Sequence, residues 1–239
     1  MVTLDTAILL DMSRLFIGSI ILAYASYTDL KTRLASNYLW VMMGIIGGII
    51  LVIQYFTVGF TNPMYLIFIP IMIGLVYILF QLRLIFGGAD AKAIMAIAIL
   101  VPLPILELPI LEISIMPGSW QVFANSIILF LFIPLSLLIF NISKRKIEFP
   151  YLFLGYKMKV SKAREKFVWP LEKIEDGKRK FVYMPKDFDI DEELDEFEKN
   201  NIKEIWVTPK IPFMIPLLFG FICTFLVGDI MFSIMNFFI

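Results

Sequence analysis

The sequence predicts a polytopic α-helical membrane protein that carries one small polar α+β domain as an insertion before its last helix. Three observations lead there. Of the 239 residues, 59% are hydrophobic and 15% aromatic, whereas a soluble domain averages about 45–50% apolar. Six apolar runs approach the roughly 20 residues that a helix needs to cross a hydrocarbon core of about 30 Å. Finally, 20 of the 21 Lys and Arg residues fall in alternate connections between those runs, the bias that keeps basic loops on the cytoplasmic side.

The runs lie at about 12–28, 38–57, 63–82, 90–106, 120–141 and 211–233. The first lacks the short basic-then-apolar pattern and cleavage site of a removable signal peptide, so it reads as a retained helix. The second holds Gly44 and Gly48 at a small-xxx-small spacing, a mark of close helix packing. The fourth is short and ends at the prolines of VPLPILELP. With the N-terminus outside, the inner connections are 29–37, 83–92 and 142–210, and only Arg14 among the basic residues lies elsewhere. The short inner loops alone contribute Lys31, Arg33, Arg83 and Lys92, against Glu107 and Glu112 in a solvated outer loop. The predicted orientation is N-out, C-out.

Residues 142–210 have another character. KRKIEFPYLFLGYKMKV, KFVWPLEKI and KRKFVYMP are β-prone, EDGK between the last two signals a hairpin, and IKEIWVTP reads as a final strand. DIDEELDEFEKNN reads as an acidic amphipathic helix. The chain therefore divides into 1–141, with five membrane helices, a cytoplasmic α+β domain at 142–210, and 211–239 with the sixth helix.

Charge and composition exclude several functions. Basic and acidic residues balance at 21 each, which argues against nucleic acid as a partner. There is no His, and the single Cys is Cys223 in an apolar run. An internal disulfide is impossible, and zinc, which wants several Cys or His ligands, is nearly excluded. No cofactor or metal is expected.

Two aspartates stand out. The first run goes outward to inward and ends at Tyr27-Thr28-Asp29; the fourth goes inward to outward and begins at Asp90. Topology thus puts both carboxylates at the cytoplasmic edge, at one depth, on antiparallel helices. Intramembrane acids are rare and default to function. Alternatively, each caps its helix or pairs with a lysine such as Lys31 or Lys92, and N-capping suits Asp90 well. Two carboxylates in contact do not comfortably both ionise. The ionised one can draw a proton from water while the protonated one donates to a carbonyl, which is peptide hydrolysis without a metal. Gly87 and Gly88 allow a backbone to approach closely.

These residues resemble a known family. GGADAK, Gly87 to Lys92, is similar to the Gly-x-Gly-Asp signature of intramembrane aspartyl proteases in the form with Lys two residues after the Asp. TDLKTRLASN, Thr28 to Asn37, resembles the first-aspartate segment of type IV prepilin peptidases. The insertion, with FLGYK and WVTPKIPF, resembles the archaeal preflagellin (prearchaellin) branch. The resemblance implies that Asp29 and Asp90 are the catalytic pair and that Gly87 is the first motif glycine. Ala89 replaces the second glycine, and Ser36 stands where proline often precedes Asn37. Bacterial relatives often carry paired CxxC motifs with methyltransferase activity; with one Cys, this chain is expected to be a peptidase only. The implied substrates are pilin-like subunits in the bilayer, cut between a short basic leader and a hydrophobic helix.

Other acids read differently. Asp229 lies roughly 27 Å from the inner start of its run, at the outer face. Residues 187–198 hold eight acidic residues and no basic one. They form either a solvated face or, through Asp191, Glu192, Asp195 and Glu196, a docking surface for a basic leader. Lys92 either tunes Asp90 or reaches to the headgroups. Two rival functions stay open: a proton-coupled transporter using the aspartates as a relay, and a non-catalytic platform for filament assembly. A transporter is expected to place its site near the midplane between related halves. The halves here do not correspond.

Overall fold

A computed structural model describes all residues except 1, 61, 83, 86, 106–115, 167, 176, 183–189 and 239. It is mostly helical. Helix α1 runs over Val2–Thr32, well beyond the 12–28 expected from hydropathy. No proline interrupts that stretch, so the helix continues through Asp29. It stops where Arg33 turns into the left-handed region (φ 58°) and donates its backbone N–H to the Asp29 carbonyl at 3.0 Å. Helix α2 covers Asn37–Thr57, with the Ser36 hydroxyl accepting the Tyr38 N–H at the N-cap. That capping role fits serine at this position. A 3-10 turn over Pro63–Ile67 leads into α3, Phe68–Gln81.

Helix α4 spans only Gly88–Leu100, 13 residues in place of the expected 90–106. Val101 precedes Pro102, which drives the preceding residue out of the helical region, and Val101 indeed has φ −130° and ψ 63°. Its carbonyl is then taken by the Ser119 N–H at 2.7 Å, next to the start of α5, Gly118–Ser143. Glu107 and Glu112 lie outside the described residues.

After α5 come short helix α6 (Tyr151–Leu154), β1 (Tyr156–Lys159), α7 (Val160–Ala163), β2 (Val168–Pro170), β3 (Glu172–Glu175), β4 (Lys178–Phe181), α8 (Ile190–Lys199) and β5 (Glu204–Pro209). The last apolar run is two helices, α9 (Met214–Leu226) and α10 (Ile230–Phe238), bent by 65°. The single span expected at 211–233 is thus broken. Asn125 of α5, fully buried, holds the break: its amide donates to Thr224 Oγ1 and to the Gly228 carbonyl, and its oxygen accepts the Ile230 N–H. Asp229 caps α10 by accepting the Phe232 N–H at 3.0 Å, and it is buried.

Among the described residues, four helical stretches are each long and apolar enough to cross a membrane: Leu4–Thr32, Asn37–Thr57, Pro63–Gln81 and Gly118–Ser143. The bent pair, counted as one broken span, makes a fifth. At about 1.5 Å per residue, α4 is roughly 20 Å long and falls short of a full span.

The chain forms two compact units, residues 1–130 with 212–239, and residues 131–211. In the first, α4 packs against α2 and α3, and α1 against α2 and α9. Ala91, Ala93, Ala96 and Ala98 of α4 are buried, and such small side chains allow close helix approach. The glycine that exploits this is Gly47. A methyl there would lie 2.7 Å from the Leu100 Cα and 2.9 Å from its nitrogen. Gly44 meets only the tip of Ile99 at 3.6 Å, and Gly48 meets nothing within 4 Å. The close packing expected of Gly44 and Gly48 thus belongs to Gly47, because the crossing point is set by where α4 ends.

In the second unit, β5 lies between β1 and β2, antiparallel to both, and β3 and β4 form the hairpin expected at EDGK. Helix α8 buries Leu194 and Phe197 and exposes Asp191, Glu192, Asp195 and Glu198, while Glu193 and Glu196 are half-buried. Buried Glu172 pairs with Arg179 and accepts the Trp206 backbone N–H. Glu148 accepts from Lys157 and from the Trp206 indole, and these contacts hold its carboxyl below the usual range.

Candidate active site

Asp29 sits in the last turn of α1, and Asp90 is the third residue of α4. The N-cap of α4 is Gly87, with φ −84° and ψ 113° and no side-chain cap bond, so Asp90 does not occupy the capping position. Its carboxyl instead folds back over the cap residue. A methyl built on Gly87 would fall 2.0 Å from Asp90 Oδ2 and 2.8 Å from Cγ. Gly87 is therefore the space that the Asp90 carboxyl occupies. Asp90 Oδ1 is buried and has no hydrogen-bond partner among the described residues.

The two aspartates lie near enough for their charges to interact. Asp90 lies within Coulombic range of Asp29, and Arg33, just past the end of α1, is within range of Asp29. Contacts further along the same helices agree. Gly18 of α1 faces Phe221 of α9 and, beside it, the side-chain tip of Leu100 of α4: a methyl on Gly18 would fall 2.3 Å from the Phe221 ring and 3.1 Å from Leu100 Cδ2. With 18 opposite 100 and 29 near 90, the helices run antiparallel.

The remaining motif residues have separate tasks. Gly88 is roomier: a methyl there would lie 3.8 Å from the Phe80 ring. Ala89 packs on the apolar core of the first unit, which accounts for a methyl where a second glycine was expected. Lys92 does not face Asp90: its Nζ donates to Asn37 Oδ1 at 2.8 Å. This bond ties the fifth residue of α4 to the first residue of α2, joining the ends of the two sequence motifs. Both stand at the polar end of a groove of about 380 Å³ whose walls include Trp40, Val41, Met95 and Ile99.

Of the four acidic docking candidates in the second unit, Asp191 and Asp195 pair with Arg164, as does Glu198. Glu192 is exposed and Glu196 half-buried, while Asp187 and Asp189 lie outside the described residues. Among the described residues, no three His, Cys, Asp or Glu side chains converge as a metal site.

Sequence reasoning missed two participants. The Asn37 contact to Lys92 spans 55 positions and leaves no local signal. Arg14 appeared only as an exception to the charge count, although an arginine three residues after Asp11 in an apolar helix was itself a signal.

Fold and site together define a multi-pass membrane protein with two carboxylates gathered at adjoining helix ends. The profile of the type IV leader peptidase family matches residues 16–143, and that of the archaeal peptidase A24 C-terminus, type II, matches 147–230. The chain belongs to the type IV leader peptidase family. It is 31% identical to a preflagellin peptidase of Methanocaldococcus jannaschii, covering 91% of this chain and 95% of that protein. Preflagellin peptidases of Methanococcus voltae and Methanococcus maripaludis are 28% and 29% identical, each over 91% of this chain and 96% of theirs.

Proposed function

We propose that this chain is an aspartyl endopeptidase that removes the short basic leader from preflagellin- or prepilin-like subunits at the cytoplasmic face of the membrane. What supports the reading is that Asp29, on the last turn of α1, and Asp90, on the first turn of α4, lie within electrostatic reach of each other. One carboxylate takes a proton from water as the water oxygen attacks the scissile carbonyl carbon. The other, protonated, donates to the carbonyl oxygen. The tetrahedral intermediate then collapses: the C–N bond breaks, the proton taken from water passes to the leaving amine, and a hydroxyl proton of the intermediate returns to the second carboxylate. Relatives named preflagellin peptidase support the substrate class. Membership of a peptidase family leaves the transporter and assembly-platform readings without support. The direct test is incubation of the purified protein with a preflagellin-type substrate. No cut at the leader boundary refutes the proposal.

The same reading requires six crossings, N-out and C-out, with α4 and the segment after it forming the fourth, and residues 142–210 in the cytoplasm. The charge distribution supports it. In a Cys223→Ser background, single cysteines within 142–210 should react with an impermeant thiol reagent only from the cytoplasmic side, and those within 107–119 only from outside. The reverse pattern would put the aspartates on the wrong face for a cytoplasmic leader.

A basic leader would be drawn to the acidic face of α8. Asp191 and Asp195 already hold Arg164, so Glu192→Lys with Glu196→Lys is the cleaner variant. Exposed charges are screened over about 8 Å at physiological salt, so the effect belongs to encounter and docking. KM should rise severalfold at low salt with kcat unchanged, and the difference should shrink as salt increases. Equal KM at low salt would reduce α8 to a solvated face.

A further inference from the structure

Arg14 is buried inside α1, with 2% of its surface exposed. A guanidinium at such a place is costly and is kept only when fully paired. Its Nη1 donates to Asp11 Oδ1 at 2.7 Å, its Nη2 to Gln54 Oε1 of α2 at 2.6 Å, and its Nε to the Leu100 carbonyl at 3.0 Å. Leu100 is the last residue of α4. The final carbonyls of a helix lack partners within it and carry partial negative charge, so a cation there satisfies both needs. The α4 helix ends early, and Arg14 is the group that receives its end. Gly47 brings the α2 backbone against the same residue.

This junction sets the level of both aspartates. Leu100 lies ten residues after Asp90, about 15 Å of helix, and its neighbour Gly18 lies eleven residues before Asp29, about 16 Å. Measured from the junction, the two carboxylates therefore stand at one height. A slip of one residue between the helices would separate them by about 1.5 Å, and proton transfer needs heavy atoms within about 2.6–3.2 Å.

Resting on the aspartate-pair reading above, we propose that Arg14 is a positioning residue: by clasping the C-terminal end of α4 to α1 and α2, it sets the axial register that brings Asp29 opposite Asp90. The test uses Arg14→Met combined with Asp11→Asn, so that no carboxylate is stranded in the bilayer, beside Arg14→Lys. Cleavage is measured per folded molecule, counted by thermal unfolding and size exclusion. In parallel, spin labels at Leu30→Cys and Lys92→Cys, in the Cys223→Ser background, report the α1–α4 distance by double electron–electron resonance against the labelled parent. The double variant should lose at least tenfold in kcat with KM unchanged, and its distance distribution should shift or broaden. Arg14→Lys keeps the charge but reaches fewer partners; it should fold and lose about threefold in kcat. An unchanged kcat, or an unchanged distance distribution in both Arg14 variants, overturns the proposal. The distance is read without substrate, so failure of the peptidase assignment is told apart from failure of the register assignment.

Discussion

Replacing Asp29 or Asp90 with Asn is expected to lower leader cleavage at least 10³-fold while the protein inserts and folds as before. Asn keeps the shape and much of the hydrogen bonding of the carboxyl, but it neither takes a proton from water nor delivers one to a carbonyl. General acid–base catalysis by one positioned group is worth about 10²–10⁴ in rate, and in the proposed mechanism each aspartate performs half of a single proton relay. Residues that act as one unit are not additive, so the Asp29→Asn/Asp90→Asn double variant should be little worse than either single one. Losses that multiply would show the carboxylates working independently. Turnover near the parental rate in either single variant would remove that residue from the dyad. Steady-state cleavage in detergent, with thermal unfolding as the control for folding, decides among these outcomes.

The second large effect is expected at Gly87. An alanine there fits the backbone, since φ −84° and ψ 113° are open to any residue. Its methyl, however, would stand 2.0 Å from Asp90 Oδ2. A side-chain oxygen can swing aside at small cost to stability, so the damage falls on the position of the carboxyl and not on the fold. Gly87→Ala should reduce kcat at least tenfold with little change in KM or unfolding temperature. Gly88→Ala supplies the contrast, because its nearest neighbour is 3.8 Å away and its φ is not left-handed. That substitution should leave cleavage within about twofold and stabilise α4 by about 0.4–1 kcal/mol through the reduced freedom of the unfolded chain. Equal kinetics for the two alanine variants would mean that Gly87 does not shape the site.

Much of the architecture was legible because it depends on local chemistry. The apolar runs of α2, of α5, and of α3 taken with the 3-10 turn before it declare themselves through the cost of leaving such stretches in water, and their observed limits lie close to the expected ones. The hairpin of β3 and β4 follows from its turn residues, and α8 from its apolar positions at Leu194 and Phe197. The candidate aspartates were also visible, since a carboxylate in an apolar context is conspicuous wherever the chain puts it.

Tertiary structure decided what joins distant residues. The bend between α9 and α10 is held by Asn125, about a hundred positions away, so no window of sequence around Asp229 could announce it. Gly47, and not Gly48, became the close contact because the end of α4 arrives there, and Pro102 fixes that end. The strand order β1-β5-β2 puts the last strand in the middle, a choice made by which faces bury together. Arg14 looked like a stray charge until the carbonyl of Leu100, 86 positions on, gave it a partner. Partitioning and turn chemistry are short-range and can be read residue by residue. A helix crossing, a bend or a buried charge is stable only with its partners present, and the fold alone brings those partners together.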